Sequence, residues 1–76
     1  MLNEIKEFIK EWDDEDSFYI YQVNNCISIV VDEEDLTFSV HTKWVYWALV
    51  NFLTSNCIKC EGNCYFFEHE KVYLIV

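Results

Sequence analysis

Asp13, Asp14, Glu15 and Asp16 form one run of carboxylates, and Asp32, Glu33, Glu34 and Asp35 form another. Together they hold eight of the fourteen acidic residues in a 76-residue chain with five lysines and no arginine. Clustered carboxylates can bind a hard cation, move protons or present a negative surface. A calcium loop is excluded: residues 13–17 offer oxygens at alternate positions, but the required glycine and the bidentate twelfth-position glutamate are absent. General acid–base catalysis asks for paired carboxylates in a cleft, whereas these lie in exposed-looking runs. An extended negative surface is what remains.

A second set is Cys57, Cys60, Cys64 and His69, spaced C-x2-C-x3-C-x4-H. The six residues 57–62, "CIKCEG", resemble part of a zinc knuckle, in which a backbone turn lets two thiolates converge. Here the glycine falls one place late. In a regular strand Cys57 and Cys60 would point to opposite faces, and zinc ribbons separate their two pairs by far more than three residues. The sequence is therefore read as binding no metal and no cofactor, with these cysteines, and Cys26, as small buried hydrophobes. A Cys60–Cys64 disulfide across Glu61-Gly62-Asn63 is sterically conceivable, but a reducing compartment argues against it. Only two histidines are present, His41 on a polar strand face and His69 in a charged turn, and Gly62 is the sole glycine. Without a phosphate loop or a nucleophile with an orienting base, the chain is read as not an enzyme.

The net charge of −9 opposes binding to nucleic acid and to anionic membranes, because both need lysine and arginine. The favoured partner is a basic protein, and the strongly basic surfaces in a cell are those that hold DNA or RNA. Hydrophobic residues make up 53% of the chain, so it is not a disordered acidic tail. The start, "MLNEIKEFIKEW", has no apolar run of a secretory signal, and no segment approaches the ~20 apolar residues that cross a bilayer. A soluble, cytoplasmic protein is expected. Phe, Tyr, Ile, Asn and Lys are abundant, while Ala and Gly occur once each and Arg and Pro are absent. Such AT-rich codon usage suggests an AT-rich bacterium, its phage or another mobile element.

These residues must be positioned by one domain, 1–76, since the length leaves no room for a second core. Residues 3–12 read as a helix with Ile5, Phe8, Ile9 and Trp12 on one face and Asn3 as N-cap. "FYIYQV" (18–23) and "CISIVV" (26–31) read as strands joined by a two-residue turn, Asn24-Asn25. "LTFSVHT" (36–42) alternates as a third strand, with Leu36, Phe38 and Val40 toward a core. Residues 43–55 switch to helical periodicity, with Thr42 as N-cap and Asn56 as a stop. The tail reads as "CYFF" and "VYLIV" (72–76), with a further short strand at 57–60. The expectation is an α+β fold, an antiparallel sheet with two helices in the order α-β-β-β-α-β-β.

In such a hairpin the first acidic block leads into one strand and the second leaves the other. Both therefore meet at one open end, at a Coulombic cost, since the first block also follows a helix C-terminus. The plain account is a solvated charge run that keeps an apolar sheet soluble. The functional account is a carboxylate surface that imitates a phosphate backbone or caps a basic cleft. Winding 43–55 as a helix puts Val45, Ala48, Leu49, Phe52 and Leu53 on a core stripe, with Tyr46 at its edge, and leaves Trp44 and Trp47 on the polar side. The plain account here is cover by the first helix or the tail hairpin. The alternative is an exposed aromatic patch, as a homodimer seam or an anchor in a partner's pocket.

In size, charge, the clustered "DDED" and "DEED" and AT-rich usage, the chain resembles the small acidic inhibitors that phages and mobile elements make against host defence nucleases. These include anti-CRISPR proteins, anti-restriction proteins and uracil-DNA glycosylase inhibitors. That resemblance involves no alignable motif, so no family site transfers. It implies a non-enzymatic DNA-mimic mechanism, in which a nucleic-acid-binding surface such as that of a CRISPR effector is occupied. The expected contacts are the eight carboxylates, with Trp44 and Trp47 as secondary ones. Two rivals stand beside it: an immunity protein that neutralises a toxin nuclease, and a homo-oligomeric structural or regulatory module with a solubilising acidic face.

Overall fold

A computed structural model describes all residues, 1–76, and its elements are built from local signals in most places. Helix α1 spans Leu2–Glu11 and buries Ile5 and Ile9, four residues apart on one face. It begins at Leu2 because Met1 and Leu2 pack against the core. Asn3 is therefore an exposed first-turn residue and not the cap; the N-cap is Met1, whose carbonyl accepts from the Ile5 N–H at 3.0 Å. Past Trp12 the chain turns through Asp13 at φ 57°, a left-handed conformation that aspartate tolerates better than most residues. One 3-10 turn, Glu15–Ser17, then enters the sheet.

Strands β1 (Phe18–Val23) and β2 (Cys26–Val31) form the expected hairpin, in register from Phe18↔Val31 to Val23↔Cys26. Asn24 takes φ 54° in its two-residue turn.

After β2 the expected third strand does not form. Residues Glu33–Phe38 are helix α2 and Val40–Asn56 are helix α3. Capping outweighs the alternation that suggested a strand. Asp32 Oδ1 accepts from the Asp35 N–H at 3.0 Å, and Ser39 Oγ accepts from the Thr42 N–H at 3.2 Å. Each bond satisfies a helix-start donor. Glu33, Glu34 and Asp35 fill the first turn of α2, where the helix dipole favours negative charge. The second block therefore sits where its charge is favoured. Leu36 is only half-buried, while Phe38 and Val40 are exposed, and Thr42 is a buried residue inside α3 and not its cap. Along α3, Val45, Leu49 and Leu53 are buried and Tyr46, Ala48 and Phe52 half-buried, close to the expected stripe.

Strands β3 (Lys59–Glu61), β4 (Cys64–Phe66) and β5 (Lys71–Ile75) complete a five-stranded sheet in the order β1-β2-β5-β4-β3. The α+β class is as expected, with the order α-β-β-α-α-β-β-β. The sheet is mixed: β2 and β5 pair in parallel and every other pair is antiparallel. The connection from β2 to β5 runs through α2, α3 and the β3–β4 hairpin, long enough to bring the chain back in the same direction. One face of the sheet carries the core, with Phe18, Ile27, Ile29, Val31, Tyr65, Val72 and Leu74 against Ile5, Ile9, Val45, Leu49 and Leu53. The alternate residues of every strand point to the other face, which no helix covers.

Candidate functional site: an acidic rim beside a tryptophan groove

The two acidic blocks meet at the open end of the β1–β2 hairpin. Asp32 N–H donates to the Ser17 carbonyl at 2.9 Å, one residue beyond the Phe18↔Val31 pair. Ser17 Oγ donates to Asp35 Oδ2 at 2.9 Å, and Thr42 Oγ1 donates to Ser17 Oγ at 3.3 Å. Ser17 and Thr42 are both buried. This chain of hydroxyls ties the first block, the second block and the start of α3 together.

It also divides the carboxylates by role. Asp32 and Asp35 are half-buried and engaged as cap and acceptor. Asp14 is half-buried, and its Oδ2 is shielded from solvent without a hydrogen-bond partner, an arrangement that costs stability. Asp13, Glu15, Asp16, Glu33 and Glu34 are exposed and make no side-chain hydrogen bond or ion pair within the protein. All eight lie at one end of the molecule, but these five are free to meet a partner.

Trp44 and Trp47 are 64% and 62% exposed, so neither α1 nor the tail hairpin covers them. Instead Trp12, at the end of α1, reaches across. All three tryptophans of the chain, with Lys43, Ala48 and Asn51, line one groove of about 330 Å³ between α1 and α3. Phe8 stacks on Phe52 with ring centres 5.0 Å apart and holds the two helices together beneath it. His41 Nε2 lies 2.7 Å from the Trp12 carbonyl oxygen. That carbonyl can only accept, so Nε2 carries the proton. His41 thus stands in the first turn of α3, not on a strand, and fixes the C-terminus of α1. Since Trp12 directly precedes Asp13, the groove and the rim are continuous.

The sequence put Trp12 on the core face of α1 and missed it as a groove wall. It also passed over Ser17, although a lone Ser between an acidic run and an apolar strand was a visible signal, and read Thr42 only as a helix cap and not as part of the hydroxyl tie.

The cysteines do not gather. Cys60 pairs with Tyr65 and Cys64 with Glu61 across the β3–β4 hairpin. Cys60 and Cys64 therefore face opposite sides, and the conceivable disulfide is not made; all four thiols are free. Of the four cysteines expected to be buried only Cys64 is; Cys26 and Cys57 are half-buried and Cys60, on a short edge strand, is exposed. His69 is exposed in the loop after β4, 3.7 Å from Glu68. No group of three His, Cys, Asp or Glu side chains is arranged to hold a metal ion. No helix is long and apolar enough to cross a membrane. Comparison with protein-family models, with curated proteins and with solved structures finds no match to this chain.

Proposed function

We propose that this chain is a non-enzymatic inhibitor that docks on a basic nucleic-acid-binding protein and occludes its substrate surface. A defence nuclease such as a CRISPR effector, in the cytoplasm of a bacterial host, is the target class the composition favours. The observation that carries the reading is the continuity of five free carboxylates with a three-tryptophan groove. Carboxylates at one end of a −9 chain steer encounter with a basic surface and give salt-sensitive association. Tryptophans supply the desolvated anchors on which binding energy concentrates. Charge alone would give fast, weak binding; the groove beside it gives residence.

The division of roles among the carboxylates designs the test. Asp13→Asn, Glu15→Gln, Asp16→Asn, Glu33→Gln and Glu34→Gln remove charge without touching the hydroxyl ties. Tagged wild type, this five-fold variant and Trp44→Ala/Trp47→Ala would each be incubated with the heparin-binding fraction of a bacterial lysate. Proteins captured would then be assayed for duplex DNA binding with and without the chain. A nucleic-acid-binding protein held by wild type, lost by both variants and displaced from DNA supports the proposal. Capture that is equal for all three baits, or that leaves DNA binding intact, overturns it.

A further inference from the structure

The two edges of the sheet are protected unequally. Strand β3, at one edge, has only three residues and carries Lys59 and Glu61, a short charged edge that discourages pairing with other chains. Strand β1, at the other, has six residues, "FYIYQV", with no charge, no proline and a register to β2 unbroken by a bulge. The Asp32 N–H donates to the Ser17 carbonyl at 2.9 Å, which makes Ser17 and Asp32 a hydrogen-bonded pair. By alternation Tyr19, Tyr21 and Val23 direct their backbone bonds to β2. Ile20 and Gln22 therefore aim both N–H and C=O out of the sheet, as Phe18 does its carbonyl, and no turn or loop takes these groups up.

A groove of about 340 Å³ runs beside them, between α1 and β1, lined by Lys6, Ile9, Lys10, Glu15, Phe18 and Ile20. Ile9 and Phe18 are buried and Ile20 is half-buried, so the floor is apolar. Helix α1 sorts its charges by face. Lys6 and Lys10, one turn apart, flank this groove, whereas Glu4, Glu7 and Glu11 fall at helical spacing on another face. Neither lysine has an ion-pair partner. Helix α1 starts at the turn end of the sheet, where Met1 meets Glu70 at 3.0 Å, and ends at the rim. Lys6 therefore lies farthest from the rim and Glu15 nearest to it.

Unpaired ladder groups along an edge are matched by one kind of occupant, an extended polypeptide. In an added strand, alternate side chains point as Phe18 and Ile20 do, into the groove. An apolar residue there meets Ile9, Phe18 and Ile20. Two positions to one side a carboxylate meets Lys6 and Lys10, and two positions to the other a cation meets Glu15. Such a segment is balanced in charge, so the −9 of the chain does not oppose its approach. The β1 strand of a second copy fits badly. Two-fold pairing would bring Lys6 and Lys10 of both copies to one seam, and β1 has no carboxylate to set between them.

We infer that the free edge of β1 is a docking site for an extended segment of another protein, added antiparallel to β1, with an acidic, an apolar and a basic residue at alternate positions. Antiparallel addition is the better-bonded ladder. It runs from the turn end to the rim, so the acidic residue comes first in the segment and the basic one last. Backbone bonds supply affinity, and the groove selects the sequence. The site lies on the β1 side of α1, whereas the tryptophan groove lies on its α3 side, and it does not depend on the function proposed above.

Display selection of random heptapeptides on the immobilised intact chain tests this. Enriched sequences should carry the order acidic-x-apolar-x-basic. A synthetic peptide of the most enriched sequence should shift the amide resonances of Phe18, Ile20 and Gln22 in 15N-labelled protein and slow hydrogen exchange at Ile20 and Gln22. Lys6→Glu/Lys10→Glu, at two exposed positions and with folding checked by circular dichroism, should weaken binding about 10-fold. Methylating the peptide's backbone nitrogen at its apolar residue should abolish binding, because a ladder donor is lost while every side chain is kept. No enrichment over the bare support would overturn the inference. So would peptides that keep their affinity for the lysine variant or after methylation, or that shift only resonances around Trp44 and Trp47. A concentration-dependent dimer whose shifts fall on Phe18, Ile20 and Gln22 would give the edge to a second copy and overturn it too.

Discussion

Ser17 Oγ and Asp35 Oδ2 are 2.9 Å apart across eighteen positions of sequence. Through that bond the loop before β1 and the first turn of α2 become one rim. Replacing Ser17 by Ala removes the donor and also leaves the buried Thr42 hydroxyl without its acceptor. A loss of about 1–3 kcal/mol is expected, the range for an unsatisfied buried partner of a charged group. Urea denaturation followed by far-UV circular dichroism checks it. A midpoint unchanged from wild type would show that the rim is held by other means.

The segment 32–42 is helical because of its two caps, so its stability should track them. Asp32→Ala and Ser39→Ala should each cost about 1 kcal/mol. In a domain of this size that is roughly 4–8 °C in Tm. Asp32→Asn, which keeps an accepting oxygen, should recover most of the loss. Thermal melts of the three variants distinguish a capping role from a purely electrostatic one.

Burial, with the neighbouring Cys60, Tyr46 and Cys57 adding to it, pushes the Tyr65 hydroxyl above its ordinary value of 10.0. Below that value the side chain is neutral in both folded and unfolded chains, and its contribution to stability is complete. As pH rises further the unfolded chain ionises first, so stability falls until the folded pKa is passed. Tyr65→Phe should flatten this alkaline loss while changing little at neutral pH. Urea midpoints measured from pH 7 to 11 would show it, and an equally steep decline in the variant would assign the loss elsewhere.

With Trp44 and Trp47 largely in water, emission should be red-shifted and strongly quenched by acrylamide. Caesium should quench more efficiently than iodide, because the adjoining carboxylates concentrate cations and exclude anions. Trp44→Phe/Trp47→Phe should leave a bluer, better protected signal from the half-buried Trp12. Blue, quencher-resistant emission from wild type would mean that the groove is closed in solution.

Local pattern determined much of this protein. The face of α1, the two-residue turn at Asn24-Asn25, the core stripe of α3 and the strands of the tail are legible because each is set by periodicity or turn chemistry within a few residues. The meeting of the acidic blocks was legible for a related reason: a tight hairpin fixes where its own ends lie. In residues 36–42 an alternating pattern too short to be decisive lost to the local caps at Asp32 and Ser39, and α2 itself buries no residue. Tertiary structure decided the rest. Pairing β2 with β5 in parallel, bringing Trp12 across to Trp44 and Trp47, and leaving one face of the sheet bare all depend on contacts distant in sequence. No window of neighbouring residues encodes them. They arise only when the apolar faces of α1, α3 and the sheet are buried together, which selects one arrangement and exposes what it does not use.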